Sequence, residues 1–142
     1  MINIFLDTTG SMSEMGKNSG AIYIVKSIQD YCEFHNIKTS LYKLDGSHIY
    51  NLTSLVFNDK LNLNSLNNFE NSIIVSDGLL DCEDENLVDV SISVGIDCDE
   101  NNLSKIAKKM FESDNTIASL EYLLYQANLK NESEEIEDED EW

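Results

Sequence analysis

The sequence predicts an α/β fold in which a mainly parallel β-sheet is sandwiched between helices. Apolar segments typical of buried strands, at residues 2–7, 72–78 and 89–96, alternate along the chain with segments of helical periodicity. Strands that alternate with helices usually form parallel sheets, because each crossover connection must return to the starting edge. Binding sites in such sheets lie at the carboxyl ends of the strands, which directs attention to the loops after Leu6 and Ser76.

The other elements are predicted from periodicity and from turn residues. In residues 21–36, Ala21, Val25, Ile28 and Cys32 recur at helical spacing. The remaining predicted elements are a hairpin of two short strands around Asp45 and Gly46, a short helix at 62–71, a helix at 102–111, a short edge strand at 110–112 and a final amphipathic helix at 116–130.

The composition fits one acidic domain and argues against nucleic-acid binding. Hydrophobic residues make up 42% of the 142 residues, which is enough for one core, and the formal net charge is −18. All nine basic residues are lysines. Contact with phosphates needs a basic surface, so no nucleic-acid partner is expected, and the lack of arginine excludes an arginine finger from this chain.

Cysteine usage and hydropathy predict a cytoplasmic protein. No apolar run approaches the length of a membrane span, and residues 1–7 lack the basic start of a signal peptide. The chain has three cysteines, Cys32, Cys82 and Cys98, and no CxxC pair. Reduced thiols are therefore expected rather than disulfides or a zinc site.

Residues 131–142 differ in character from the predicted domain at residues 1–130. This segment holds eight acids, no base and a final tryptophan. Such a segment cannot bury enough apolar surface to offset the entropy of ordering it, so we expect an acidic, disordered tail.

Two polar loops carry the residue types of a metal site. Asp7 and Asp77, each directly after a predicted buried strand, offer carboxylate oxygens. Thr9 and Ser11 offer hydroxyls two residues apart, and Gly10 between them allows a tight turn. Two carboxylates with several neutral oxygens leave room for water, which suits Mg²⁺ and allows Mn²⁺.

These motifs resemble the metal-ion-dependent adhesion site of von Willebrand factor A-type domains. The pattern D-x-T-G-S-M begins at Asp7, and S-D-G follows at residues 76–78. Residues 93–97, 102–107 and 116–130 look like the family's fifth strand, the next helix and the closing helix, so the resemblance covers about residues 1–130.

The resemblance implies a small, intracellular, bacterial-type, single-domain member of that family. Its fold would be a Rossmann-like, doubly wound, six-stranded sheet, mainly parallel with one antiparallel edge strand, and with helices on both faces. Thr9 and Ser11 would bind the metal directly, and Asp7 and Asp77 directly or through water. Thr53 is the candidate for the distant hydroxyl ligand.

The function implied is non-enzymatic binding of a protein partner through Mg²⁺. The partner would supply a carboxylate to the metal, and the chain would serve as an adaptor or subunit, for example with an ATPase or in a stress or defence module. Acidic side chains are expected to rim the metal and to favour basic residues beside the partner's carboxylate. They are Asp81, Glu83, Asp84, Glu85, Asp97, Asp99 and Glu100.

Two other functions stay open at this point. One is a Mg²⁺-dependent hydrolase, although Thr9 stands where a haloacid-dehalogenase phosphatase would have its second aspartate. The other is a structural subunit whose metal site has decayed. In that case Asp7 and Ser11 would only satisfy backbone N–H groups at a turn or helix start.

Overall fold

A computed structural model describes the backbone of residues 1–139 and the side chains of residues 1–129. These residues form a five-stranded parallel sheet flanked by helices, a Rossmann-like α/β arrangement. The strands are β1 (Ile2–Leu6), β2 (Thr39–Lys43), β3 (Ser72–Ser76), β4 (Val88–Ser93) and β5 (Ala107–Glu112), and the α-helices are α1 (Lys17–Phe34), α2 (Glu100–Ile106) and α3 (Thr116–Glu139).

The strand order is β2-β1-β3-β4-β5, and every neighbouring pair is parallel. The prediction of six strands with an antiparallel edge strand is wrong for residues 1–139. The hairpin at Asp45 and Gly46 closes only one antiparallel bridge, Tyr42 to His48, and the chain then leaves the sheet. A single bridge does not make a strand, which requires a ladder of successive hydrogen bonds to its neighbour.

Strand order reverses direction between β1 and β3, which makes this pair the topological switch point of the sheet. The pairing continues past the end of β1, where the Asp7 N–H donates to the Val75 carbonyl at 3.0 Å. The chain leaves β1 and β3 in separate directions, so a crevice is expected where the two strands end.

The sheet is covered on both faces, as predicted. On one face, alternate residues of β1 pack against α1 and α3, and Ile4, Val25 and Leu120 are fully buried there. On the other face, Phe5 and Ile74 pack with Leu66 and with Ile106 of α2. Among the described residues, this second face has only one short α-helix, and part of its cover comes from irregular chain around residues 63–69.

Several element boundaries differ from the sequence prediction. The short helix expected at 62–71 is reduced to a 3₁₀ turn at Leu66–Asn68. The helix expected at 102–111 ends at Ile106, and β5 begins at once because its residues pair with β4 from Val88 to Ser93. Helix α1 starts at Lys17, four residues earlier than expected.

Helix α3 continues to Glu139 and so takes in part of the acidic segment predicted as a tail. Residues 140–142 lie outside the described residues, and the disorder of the tail stays a prediction. Within the part of the chain that the structure describes, no helix combines the length and apolarity needed to cross a bilayer.

Candidate metal centre

The candidate site lies at the carboxyl ends of three adjacent strands. Asp7 follows β1 directly, Asp77 follows β3 directly, and Asp97 lies in the loop after β4. Since β1, β3 and β4 are neighbours in the sheet, these loops emerge side by side. Asp7 and Asp77 are both completely buried, with 0% of their surface exposed.

Asp7 is held by hydrogen bonds from neutral groups. Its Oδ1 accepts from the Thr9 N–H at 2.9 Å and from the Thr9 hydroxyl at 2.6 Å, and its Oδ2 accepts from the Ser76 hydroxyl at 2.7 Å. Burial raises the pKa of Asp7, and the negative charge of Asp77 adds to the effect, whereas the bonds from Thr9 and Ser76 lower it. Asp7 is thus a buried carboxylate that no lysine contacts within the described side chains.

Ser11 supplies a buried oxygen that has no hydrogen-bond partner among the described residues. It belongs to the 3₁₀ helix Gly10–Ser13, which the fully buried side chain of Met12 fixes to the core. Its hydroxyl does not cap a helix, so the explanation of Ser11 as a simple cap is not supported. Asp7, by contrast, does accept the Thr9 N–H, as a turn-forming aspartate would.

Lys17 lies in the site, although it is not among the residues predicted from the sequence. The Lys17 Nζ lies 2.9 Å from Asp77 Oδ2 and 3.0 Å from each oxygen of Asp97. Lys17 is only 1% exposed. Burial by itself would lower the pKa of Lys17, but hydrogen bonds and charge from Asp77 and Asp97 outweigh it, so the pKa is raised and the ammonium keeps its proton.

Gly95 makes room for this lysine. A Cβ at position 95 would lie 2.5 Å from Lys17 Cδ and 2.8 Å from Lys17 Cγ. The backbone of Gly95 also has a φ of +95°, which side chains with a Cβ rarely adopt. The loop after β4 is therefore shaped around the stem of Lys17.

The Asp77 loop is fixed on its other side by α2. Asp77 Oδ1 accepts the Leu79 N–H at 3.1 Å, and the Asp77 carbonyl accepts the Asp99 N–H at 2.8 Å. Asn102 donates from Nδ2 to the carbonyls of Gly78 and Leu80, both at 2.7 Å. These contacts hold the loop rigidly enough to keep Asp77 facing Lys17.

Thr53, the predicted distant ligand, makes its hydrogen bonds within its own turn. Its N–H and its hydroxyl both donate to Asn51 Oδ1, at 3.0 and 2.6 Å, and no hydrogen bond among the described residues links it to the Asp7 loop. The structure instead places Asp59 against that loop. The backbone of Asp59 forms an isolated parallel β-bridge with Thr9. The Asp59 carboxylate accepts a hydrogen bond of 2.5 Å from the Thr8 hydroxyl and forms an ion pair with Lys43 at 3.0 Å.

One sequence signal could have identified Lys17. In α1 the fully buried positions Ala21, Val25 and Ile28 follow Lys17 at spacings of 4, 8 and 11 residues, so the lysine lies on the apolar stripe of its helix. A lysine on such a stripe needs a buried anionic partner. Asp97 gave no comparable signal, because an acidic residue in a loop is usually solvated.

The residues present fit a divalent cation in part. Within the described part of the chain, no three His, Cys, Asp or Glu side chains converge as a metal-binding group. The Thr9 hydroxyl bonds to Asp7, and the Ser11 oxygen in the same loop is buried and has no hydrogen-bond partner among the described residues. Asp7, Asp77, Asp97 and Lys17 sum to a formal charge of about −2, which one divalent ion would balance.

Comparison of the chain with protein families, curated proteins and solved structures gives no match.

Proposed function

We propose that this chain is a von Willebrand factor A-type domain that binds a protein partner through a Mg²⁺-dependent adhesion site and catalyses no reaction. The observation that carries the proposal is that one loop at the switch point holds a buried carboxylate, Asp7, and a buried hydroxyl, Ser11, which has no hydrogen-bond partner among the described residues. Asp7, Thr9 and Ser11 would hold the ion, with Asp77 close by. The bound ion would supply a Lewis-acidic position open to a partner's carboxylate.

The surface around the site suits a macromolecular partner. Three exposed apolar side chains lie close in sequence to Lys17, Asp77 and Asp97. Met15 is 67% exposed, Leu79 is 45% exposed and Ile96 is 94% exposed. Each belongs to a different loop of the candidate site. Apolar side chains within a polar rim are typical of protein-binding surfaces.

Charge in the same loops favours a partner that is basic around its metal-binding carboxylate. The acidic residues from Asp81 to Glu85 and from Asp97 to Asp99 belong to these loops, and Glu100 begins α2 directly after them. A partner carboxylate alone would meet repulsion, whereas neighbouring lysines or arginines would be attracted. The adaptor or subunit role, for example with an ATPase, is part of this proposal.

Little supports a hydrolase. The depression beside Thr8, Thr9 and Asp59 encloses only about 20 Å³, which is too small for most substrates. The space of about 520 Å³ beside Leu79, Asp97 and Asp99 is an open surface depression and does not enclose a substrate. Another cleft, of about 390 Å³, lies near Asn71, Asp89 and Lys108, at the opposite edge of the sheet.

One observation favours the structural-subunit alternative. Lys17 already neutralises part of the charge on Asp77, so the site can persist without an external ion. Metal-induced stabilisation separates the two functions, because an ion that binds only the folded state raises the melting temperature.

The test compares wild type with Ser11→Ala and with Ser13→Ala, a matched change in the same 3₁₀ helix. The Ser13 hydroxyl is exposed and bonds only to the Gly10 carbonyl. Melting temperatures are measured in Mg²⁺ and in EDTA, and proteins captured from a lysate of the source cells are compared under both conditions. Wild type and Ser13→Ala should show Mg²⁺-dependent stabilisation and capture, and Ser11→Ala should lose both. Equal behaviour of all three proteins in Mg²⁺ and EDTA would reject the proposal.

A further inference from the structure

The Lys17 ammonium lies between two carboxylates of the candidate site. It is buried and contacts two carboxylates from two different loops, Asp77 after β3 and Asp97 after β4. Transfer of an ammonium from water into a protein interior is costly unless it is paired. The two carboxylates provide that pairing, so the lysine has the electrostatic role of an internal cation.

Both oxygens of Asp77 already have partners. Oδ2 lies 2.9 Å from the Lys17 Nζ, and Oδ1 accepts the Leu79 N–H at 3.1 Å. A divalent ion that binds Asp77 directly must share or displace one of these contacts. It must also approach a fixed positive charge in a site from which water is largely excluded, where repulsion is strong.

We propose that Lys17 competes with external divalent cations for Asp77 and Asp97 and thereby weakens the affinity of the site for Mg²⁺. This inference rests on the proposed function, since it concerns the same metal centre. Lys17 thus sets the Mg²⁺ concentration at which the site fills. Removal of the ammonium leaves the negative charges of Asp77 and Asp97 without a positive partner, so their affinity for an external cation increases.

The experiment measures the apparent Kd for Mg²⁺ by isothermal titration and by the dependence of melting temperature on Mg²⁺ concentration. Lys17→Met removes the charge and keeps an unbranched chain, while Lys17→Arg keeps the charge. Lys26→Met is the matched control, because Lys26 is an exposed lysine on the same helix. Lys17→Met should bind Mg²⁺ at least tenfold more tightly than wild type, Lys17→Arg should show no such gain, and Lys26→Met should remain within about twofold of wild type.

Lys17→Met is expected to be less stable than wild type in EDTA, because two buried or half-buried carboxylates lose their partner. Recovery of the fold on addition of Mg²⁺ would support the proposal. A second variant keeps the proposal testable should Lys17→Met not fold. In Asp97→Asn the Lys17 ammonium keeps only Asp77 as a carboxylate partner. The affinity of this variant for Mg²⁺ should therefore be several-fold lower than that of wild type.

The outcomes distinguish this inference from the proposed function. Binding of Mg²⁺ by wild type, with Lys17→Met no tighter, would overturn the role of Lys17 and leave the metal site in place. Binding by Lys17→Met with none by wild type would support the inference and contradict a Mg²⁺-dependent function of the natural chain. Unchanged Mg²⁺ affinity in Asp97→Asn would also count against competition.

Discussion

The hydroxyl of Ser76 donates a hydrogen bond of 2.7 Å to Asp7 Oδ2, and neither residue is exposed to solvent. This contact links the ends of β1 and β3, the two strands at the switch point. The Ser76 oxygen also accepts the Gly78 N–H at 3.0 Å, so the same hydroxyl orients both loops. Asp7 is thereby fixed in place even though burial opposes its charge.

The first prediction concerns the cost of that buried charge. Asp7→Asn should raise the free energy of unfolding in EDTA at neutral pH, because the amide keeps the shape of the carboxylate without its charge. The folded-state pKa of Asp7 is raised, so the wild type loses stability as pH rises from the ordinary aspartate pKa through this raised value. The stability advantage of Asp7→Asn should therefore increase over that interval and then level off.

Denaturant unfolding of both proteins in EDTA, from about pH 4 to pH 8, measures this difference, and the other carboxylates cancel in the comparison. Addition of Mg²⁺ should reverse the order, since only the wild type keeps the carboxylate. A variant that is less stable than wild type at every pH would show that the charge of Asp7 is compensated without metal.

The second prediction concerns the space that Gly95 leaves for Lys17. Gly95→Ala should destabilise the protein by about 2–4 kcal/mol, because alanine is strained at positive φ and its Cβ would overlap the lysine stem. Gly20→Ala is the contrasting control. Gly20 lies within α1, and a Cβ added there would make an ordinary contact at 3.6 Å with Val94. Gly20→Ala should therefore stabilise the protein by about 0.5–1 kcal/mol. Urea denaturation checks both values, and equal effects would contradict the packing described for Lys17.

The third prediction concerns the clamp made by Asn102. Asn102→Ala removes two hydrogen bonds to backbone carbonyls and should destabilise by about 1–3 kcal/mol. Hydrogen exchange of the Leu79 amide, which bonds to Asp77, should accelerate as the loop loosens. The neighbouring Asn101 is exposed on the same helix, and Asn101→Ala should change neither quantity appreciably. Unchanged exchange at Leu79 in Asn102→Ala would mean that other contacts hold the loop.

The fourth prediction concerns the apolar rim. Replacement of Leu79 and Ile96 together by serine should leave the melting temperature nearly unchanged, since both side chains are exposed, and should weaken Mg²⁺-dependent capture of the partner about tenfold or more. Phe34→Ser is the control, because Phe34 is 82% exposed at the far end of α1. Equal capture by the double variant and by Phe34→Ser would place the partner elsewhere.

Much of the architecture could be predicted from local sequence patterns. Segments 2–6 and 72–76 are mostly apolar and are buried on both faces, which makes them clear strands. Strand β5 was harder, because Lys108 and Lys109 are exposed and the segment resembles the end of a helix. Its pairing with β4 determines its conformation, and that is a long-range property.

The candidate site was predictable to a similar extent. Asp7 and Asp77 could be brought together from the topology alone, because both follow strands that end at the same edge. The contact between Lys17 and Asp97 spans 80 residues, and no local pattern records it. The distant hydroxyl ligand also depends on the irregular connection between β2 and β3, where hydrophobic periodicity is weak. Thr53 as that ligand stays a prediction.

The strand order also constrains how the chain can fold during synthesis. Strand β1 pairs on one side with β3, yet about 65 residues separate Leu6 from Ser72. At roughly 5–20 residues per second, a ribosome takes about 3–13 s to make that connection. During this time the Ile, Phe and Leu side chains of β1 lack their permanent neighbour. Productive folding is therefore expected to wait for the second half of the chain, and fragments that end before β3 should aggregate or require a chaperone.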